Sequence, residues 1–295
     1  MNKNSKTKPL VLDGAMGTEL VRNGVELPLP IWSADANLDH PDIVLNIHQE
    51  YAAAGADIIT TNTFRTTTYT YRKAGYTKQR AQERAYDSLM SAVDLARKSA
   101  VDTMKVAGSI TAIDDCYSPE LYPGKGAAED TFGELVEWFS EAGVDLLLFE
   151  TMGNFEEIEI ALEASLNIEI NCWFSLILKD GKHILDGHSL DEAINLIKTF
   201  PISCLMLNCN KIETTPSALK LFLSLWTNDW GVYSNLGVTD FDNDYFDIIN
   251  DSNFKESISL FLEFNPAVIG ACCGSTPKHI DMIKNLINEK MVVHE

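Results

Sequence analysis

The 295-residue chain carries 43 acidic against 23 basic residues, a formal charge of -20, so it lacks the excess of Lys and Arg that phosphate-backbone binding demands, and nucleic acid and anionic membrane are poor partners. With 45% hydrophobic and 22% charged residues the composition is globular, and a chain of this size buries enough apolar surface to fold without staples. Six cysteines, a lysine-bearing start with no apolar signal-like stretch, and no apolar window approaching about 18 residues lead to the expectation of reduced thiols in a cytoplasmic protein.

The first β-rich run is "PLVLDG" (9–14), followed by a long irregular stretch at 20–40. "HPDIV" then places Pro41 in the first turn of a helix striped by Ile43, Ile47 and Tyr51, a spacing that predicts one apolar face. "AGAD" (54–57) ends that helix with glycine and opens the second run, "DIITTNTF" (57–64). The third run, "KVAGSI" (105–110), leads into a second irregular stretch at 111–128, and "AGVD" (142–145) repeats the helix-to-strand junction before "DLLLFET" (145–151). Then come "NCWFSLIL" (171–178) and "CLMLNC" (204–209), with "TPSA" placing Pro216 at the start of a helix striped by Leu219, Phe222 and Trp226. "WGVYSN" (230–235) and "AVIGACCG" (267–274) complete the set, and "STPKH" offers Ser275 or Thr276 as a cap ahead of Pro277.

Eight apolar runs alternating with helices imply a parallel sheet covered on both faces. The fold expected is α/β, a single (β/α)8 TIM barrel over residues 1–295, with an open doubly wound sheet as the alternative. No GxGxxG or GxxxxGK[ST] motif supports a nucleotide-binding version. In a barrel both irregular stretches lie on the face where active sites are built, as candidate lids or specificity loops.

The ends of the runs read Asp13, Thr63, Ser109, Glu150, Ser175, Cys209, Asn235, Cys272 and Cys273. Neighbouring residues on a strand point to opposite faces, so the sulfurs of Cys272 and Cys273 converge only if the chain turns there, and Gly270 and Gly274 supply the freedom to turn. A disulfide between sequence neighbours is strained. Two thiolates at a turn, joined by Cys209 from across the rim, would hold Zn2+ with a fourth position open, the arrangement of a catalytic zinc that lowers the pKa of a substrate thiol. The competing reading makes both residues small buried apolar groups at a crowded rim, and spacing alone does not choose between the two. Cys116, Cys172 and Cys204 read as packing residues. A barrel enzyme acting through Glu150 and a lysine is disfavoured, since no lysine stands at a strand end.

In order and spacing, "VLDGAMGTEL", "GADIITTNTF", "DLLLFETM", "LNCN" and "IGACCGSTPKHI" resemble the homocysteine S-methyltransferase family, from about Leu10 to Leu286. "CWFSLILKDGKHILDGHSLDEA" and "GVYSNLG" are most similar to the stand-alone members that use S-methylmethionine or S-adenosylmethionine. The resemblance implies Cys209, Cys272 and Cys273 as zinc ligands, Asp13 and Glu150 as the holders of the homocysteine ammonium, and Thr63, backbone near Gly14, and Asn235 around its polar end. It implies small-molecule partners, homocysteine and a methyl donor, with the zinc-activated substrate thiolate as nucleophile and no protein nucleophile. A betaine-type donor and a non-catalytic zinc or thiol-binding barrel are the alternatives. Trp32 and Trp173 are candidates for cation–π contact with a cationic donor. The chain departs from the family pattern at Ala271, where a second glycine is usual, and in "YSN" and "GSITAIDDCYSP".

Overall fold

The computed structural model describes residues 8–292 apart from 102, 167 and 241–244. Seven strands come first: β1 (Leu10–Val11), β2 (Ile58–Thr60), β3 (Lys105–Thr111), β4 (Leu146–Met152), β5 (Asn171–Leu176), β6 (Ile202–Lys211) and β7 (Asp229–Asn235). A short hairpin of β8 (Gly237–Asp240) and β9 (Tyr245–Ile248) precedes the last barrel strand, β10 (Val268–Ala271). The eight-stranded sheet runs β1-β10-β7-β6-β5-β4-β3-β2, every pair parallel. Its two edges meet through a parallel bridge between Leu12 and Ile58 and through bonds from Asp57 N to Val11 O (2.7 Å) and Asp13 N to Ile58 O (3.1 Å). The barrel is closed, and the open-sheet alternative falls.

The expected runs locate the strands, with shifted ends. The second is extended only to Thr60, because the backbone turns at Thr61–Thr63, where Thr63 N bonds Thr61 O at 2.8 Å. The last stops at Ala271, which still pairs with Ser234 of β7, and the chain turns immediately afterwards. The helix signals behave as physical chemistry requires. Pro41 opens the helix Pro41–Ala53, and Gly55 and Gly143 end their helices with φ of 98° and 71°, a left-handed backbone that glycine adopts at little cost.

Apolar surface is buried in two layers. Inside the barrel, Leu12, Ile58, Leu146, Leu148, Trp173, Met206 and Tyr233 pack on one another. Outside, the opposite faces of the strands meet the helices, with Phe149, Phe174 and Leu207 facing that shell. Trp173, expected at the mouth, is thus a barrel-core residue. Residues alternate sides along a strand, and its position beside Leu148 and Cys204 points it inward. No helix of the described residues is long and apolar enough to cross a membrane.

Candidate active site

The C-terminal rim of the barrel opens into a cavity of about 710 Å³. Both irregular stretches contribute to its wall, Leu29, Pro30 and Trp32 from the first and Asp114, Asp115, Cys116, Tyr117 and Leu121 from the second.

Two strand irregularities aim the key side chains. The β4–β5 register shifts between Phe149 and Met152, with Thr151 at φ 57°, and the β6–β7 register shifts between Asn208 and Lys211, with Cys209 at φ 53°. An extra residue in a parallel strand breaks the alternation and redirects the neighbouring side chain. Glu150 and Cys209 both line the cavity as a result. A non-glycine residue in the left-handed region costs of order 1 kcal/mol and persists where its surroundings fix it.

Cys272 and Cys273 occupy the turn after β10. Leu236 N donates to Cys273 O at 3.0 Å and Ser275 N to Cys272 O at 3.0 Å. The left-handed position falls at Gly274, with φ 87°, not at Ala271. Alanine therefore replaces the usual glycine without backbone strain, since Ala271 is ordinary strand. The three sulfurs of Cys209, Cys272 and Cys273 lie within 4.8 Å of one another, those of Cys209 and Cys272 at 2.7 Å. This is a set able to hold a metal, and its soft donors suit zinc. Cys209 and Cys272 share a sulfur–sulfur hydrogen bond. Cys209 is pushed well above the ordinary thiol range by hydrogen bonding to Cys272 and Cys273 and by burial, whereas the bonds it receives from Cys209 and Cys272 hold Cys273 well below that range.

Behind them, Asn235 does not line the cavity. Its Oδ1 accepts from Cys273 N at 3.2 Å and its Nδ2 donates to Tyr117 Oη at 3.2 Å. It positions the thiol turn and ties it to the 111–128 stretch.

Asp13 and Glu150 line the same cavity. Thr60 donates to Asp13 through its backbone N at 2.9 Å and through its hydroxyl. Burial dominates nonetheless and, with the nearby Glu150 charge, pushes Asp13 up from 3.8 to about 8. Glu150 accepts from Ser109 Oγ and from Tyr233 Oη, the latter at 3.1 Å. It too is raised by burial, against those two hydrogen bonds. Among the described residues no cation is paired with either carboxylate, so a ligand ammonium would meet two under-compensated acids.

Gly14 lines the cavity beside Asp13. A Cβ there would lie 2.5 Å from Tyr51 Cε1 and 2.7 Å from Ser275 Oγ, so only glycine permits this approach. Thr63 is placed differently from the expectation. It is buried, donates to Ser109 O at 2.7 Å and shares a 2.8 Å bond with Thr61 Oγ1, and Thr60 and Thr61 line the cavity in its place. Cys116, read as a packing residue, is buried but also lines the cavity, where burial, Asp115 and Cys273 raise its thiol. Tyr117, Tyr233 and Arg65 were not singled out by sequence reasoning. Of these only Tyr233 left a signal, lying two residues before Asn235 on the same strand face.

A closed (β/α)8 barrel with a three-thiol, metal-capable cluster and a carboxylate pair in one rim cavity is an enzyme architecture. Residues 10–287 match the family model described as homocysteine S-methyltransferase, and the chain belongs to that family of enzymes. Homocysteine S-methyltransferase of Escherichia coli (strain K12) is 29% identical, the alignment covering 93% of this chain and 94% of that protein. The selenocysteine methyltransferase of Astragalus bisulcatus is 24% identical over 94% of this chain and 92% of its own length. The crystal structure of the Escherichia coli homocysteine methyltransferase MmuM in its metallated form superposes with a TM-score of 0.81 at 28% identity, covering 95% of this chain and 96% of that one.

Proposed function

We propose that the protein is a zinc-dependent homocysteine S-methyltransferase that takes its methyl group from a sulfonium donor, S-methylmethionine or S-adenosylmethionine, and produces methionine. The observation that carries this reading is the convergence of three thiols and two cation-seeking carboxylates in one cavity. Cys209, Cys272 and Cys273 would hold the zinc, which when bound lowers the pKa of a substrate thiol so that the thiolate is available at neutral pH.

The chain's own residues account for orientation. Asp13 and Glu150 take the homocysteine ammonium through charge-assisted hydrogen bonds, and the cation draws both carboxyls back toward ionisation. Ser109 and Tyr233 fix the two oxygens of Glu150, and Gly14 lets backbone approach the amino acid's polar end. In the transfer the homocysteine sulfur forms a bond to the methyl carbon in line with the breaking carbon–sulfur bond of the donor. That bond's electron pair stays on the donor sulfur, which becomes a neutral thioether, and the thiol proton leaves to solvent. No protein atom becomes bonded to the methyl group, so alignment and thiol activation are what the enzyme contributes. The largely apolar cavity desolvates a sulfonium, whose charge disperses as the methyl group departs.

Zinc-loaded protein is to be incubated with homocysteine and, separately, S-methylmethionine, S-adenosylmethionine and betaine, with methionine measured. Formation from a sulfonium supports the proposal. Formation from betaine alone moves the donor class, and formation from none rejects it.

A further inference from the structure

Among the described residues lining the cavity, the cationic side chains are Arg65 and Lys73, and they differ in how they are satisfied. Lys73 Nζ is locked on Asp114, at 2.8 and 2.6 Å from its two oxygens, while Tyr69 donates to the same carboxylate at 2.9 Å. Arg65 is only 11% exposed, yet its contact with a carboxylate is a single 3.5 Å approach to Asp115 Oδ1. Asp115 is already engaged in its own loop, accepting from Tyr117 N at 3.3 Å and from Ser118 Oγ at 2.7 Å. Phe64 lies beneath the guanidinium, 5.9 Å from ring centroid to Cζ, which orients the plane without using its N–H groups. Five donors in a fixed fork, largely withdrawn from water and loosely matched, are the complement of a ligand carboxylate.

The backbone holds Arg65 in the left-handed region, φ 62°, so the side chain is presented from a fixed position. Arg65 and Glu150 are tied to different parts of the cavity wall. Arg65 meets Asp115 of the 111–128 stretch. Glu150 stands on β4, its oxygens held by Ser109 of β3 and Tyr233 of β7. An α-amino acid held by its ammonium at Glu150 keeps its carboxylate within about two bonds of that point, beside Glu150. A second amino acid has its carboxylate free for Arg65.

We propose that Arg65 anchors the carboxylate of the methyl donor, so that the cavity selects an α-amino-acid sulfonium over a sulfonium lacking a carboxylate. This rests on the sulfonium reading above and adds the residue that recognises the donor. The bidentate fork meets the carboxylate while the carbon chain extends past Cys116 toward the thiols.

The test compares zinc-loaded wild type, Arg65→Met and Arg65→Lys with homocysteine as acceptor and S-methylmethionine or trimethylsulfonium as donor, alongside calorimetric titration of S-methylmethionine without acceptor. Arg65→Met is expected to lower kcat/KM for S-methylmethionine relative to trimethylsulfonium by about 30-fold, the worth of a charge-assisted hydrogen-bond pair. The calorimetric affinity should weaken by a similar factor, with Arg65→Lys recovering part of both. An equal loss with both donors would make Arg65 a structural residue, and a rise in homocysteine KM alone would assign it to the acceptor. Either result overturns the proposal, as does S-methylmethionine binding that is undetectable with wild type or unchanged in Arg65→Met. Binding that depends on Arg65 without methionine formation from any donor would instead reject the transfer reaction while upholding the anchor.

Discussion

Asp13 offers a sharp test of the site's electrostatics, because its carboxyl is buried beside Glu150 and pushed from 3.8 to about 8. In the unliganded folded protein it stays protonated through the pH range in which the unfolded chain has released its proton. The folded state then binds more protons than the unfolded one, so stability is fully present below pH 3.8 and falls as pH rises toward 8. The slope is about 1.4 kcal/mol per pH unit, or about 3 kcal/mol between pH 5 and 7. Asp13→Asn removes this slope. Any offset is small and independent of pH, since the amide oxygen can accept from Thr60 N while its NH2 donates to the Thr60 hydroxyl. The assay is urea unfolding of both proteins, metal-loaded, at pH 5, 6 and 7, with the difference plotted against pH so that other titrating groups cancel. The variant should gain on wild type by about 1.4 kcal/mol per unit, and saturating homocysteine should flatten the trend by bringing an ammonium to the carboxylate. A difference independent of pH without homocysteine would mean that Asp13 is already ionised in the folded protein, and the reasoning that burial holds it protonated would fail.

Cys273→Ala is expected to abolish stoichiometric zinc retention by metal analysis and to remove methionine formation, whereas loss of packing alone would lower the unfolding midpoint with metal content intact. Asn235→Ala removes the acceptor for Cys273 N and should weaken zinc affinity by about 10–100-fold, measured by chelator competition. Gly14→Ala forces a methyl group against Tyr51 and Ser275, which should cost about 1–3 kcal/mol in urea unfolding and raise the homocysteine KM.

The eight strands were legible because buried parallel strands are short continuous apolar runs, and the glycine and proline punctuation at 41, 55, 143, 216 and 277 marked the joints between them. That the thiols and carboxylates share one rim was legible because a barrel gathers its strand ends there, whereas their roles came from the family resemblance, spacing alone leaving the thiols open between metal and packing. Thr63 was misplaced and Thr60 overlooked for one reason. The second run turns three residues earlier than its apolar character suggests, so the residue facing the cavity changes. The bulges at Thr151 and Cys209 left no trace in residue type, since neither position is glycine. Arg65 escaped because its importance lies in what it lacks, a close partner, and pairing across loops cannot be read along a chain. Trp173 looked like a mouth residue by type, while strand alternation, which decided it, depends on register.

The thiol turn and Cys209 belong to β10 and β6, which are not neighbours; β7 lies between them and pairs with both. An ion bound there would therefore be a strap across a middle strand, tying together positions 63 residues apart in sequence. Judged as a cross-link, closing a loop of that length restricts the unfolded chain by about 4 kcal/mol. The amides of Asp229–Asn235 should exchange with solvent more slowly when metal is present than when it is stripped. The ion that serves the chemistry would also clasp β6 to the turn after β10 across β7, so metal supply would govern how long the folded molecule survives as well as how fast it works.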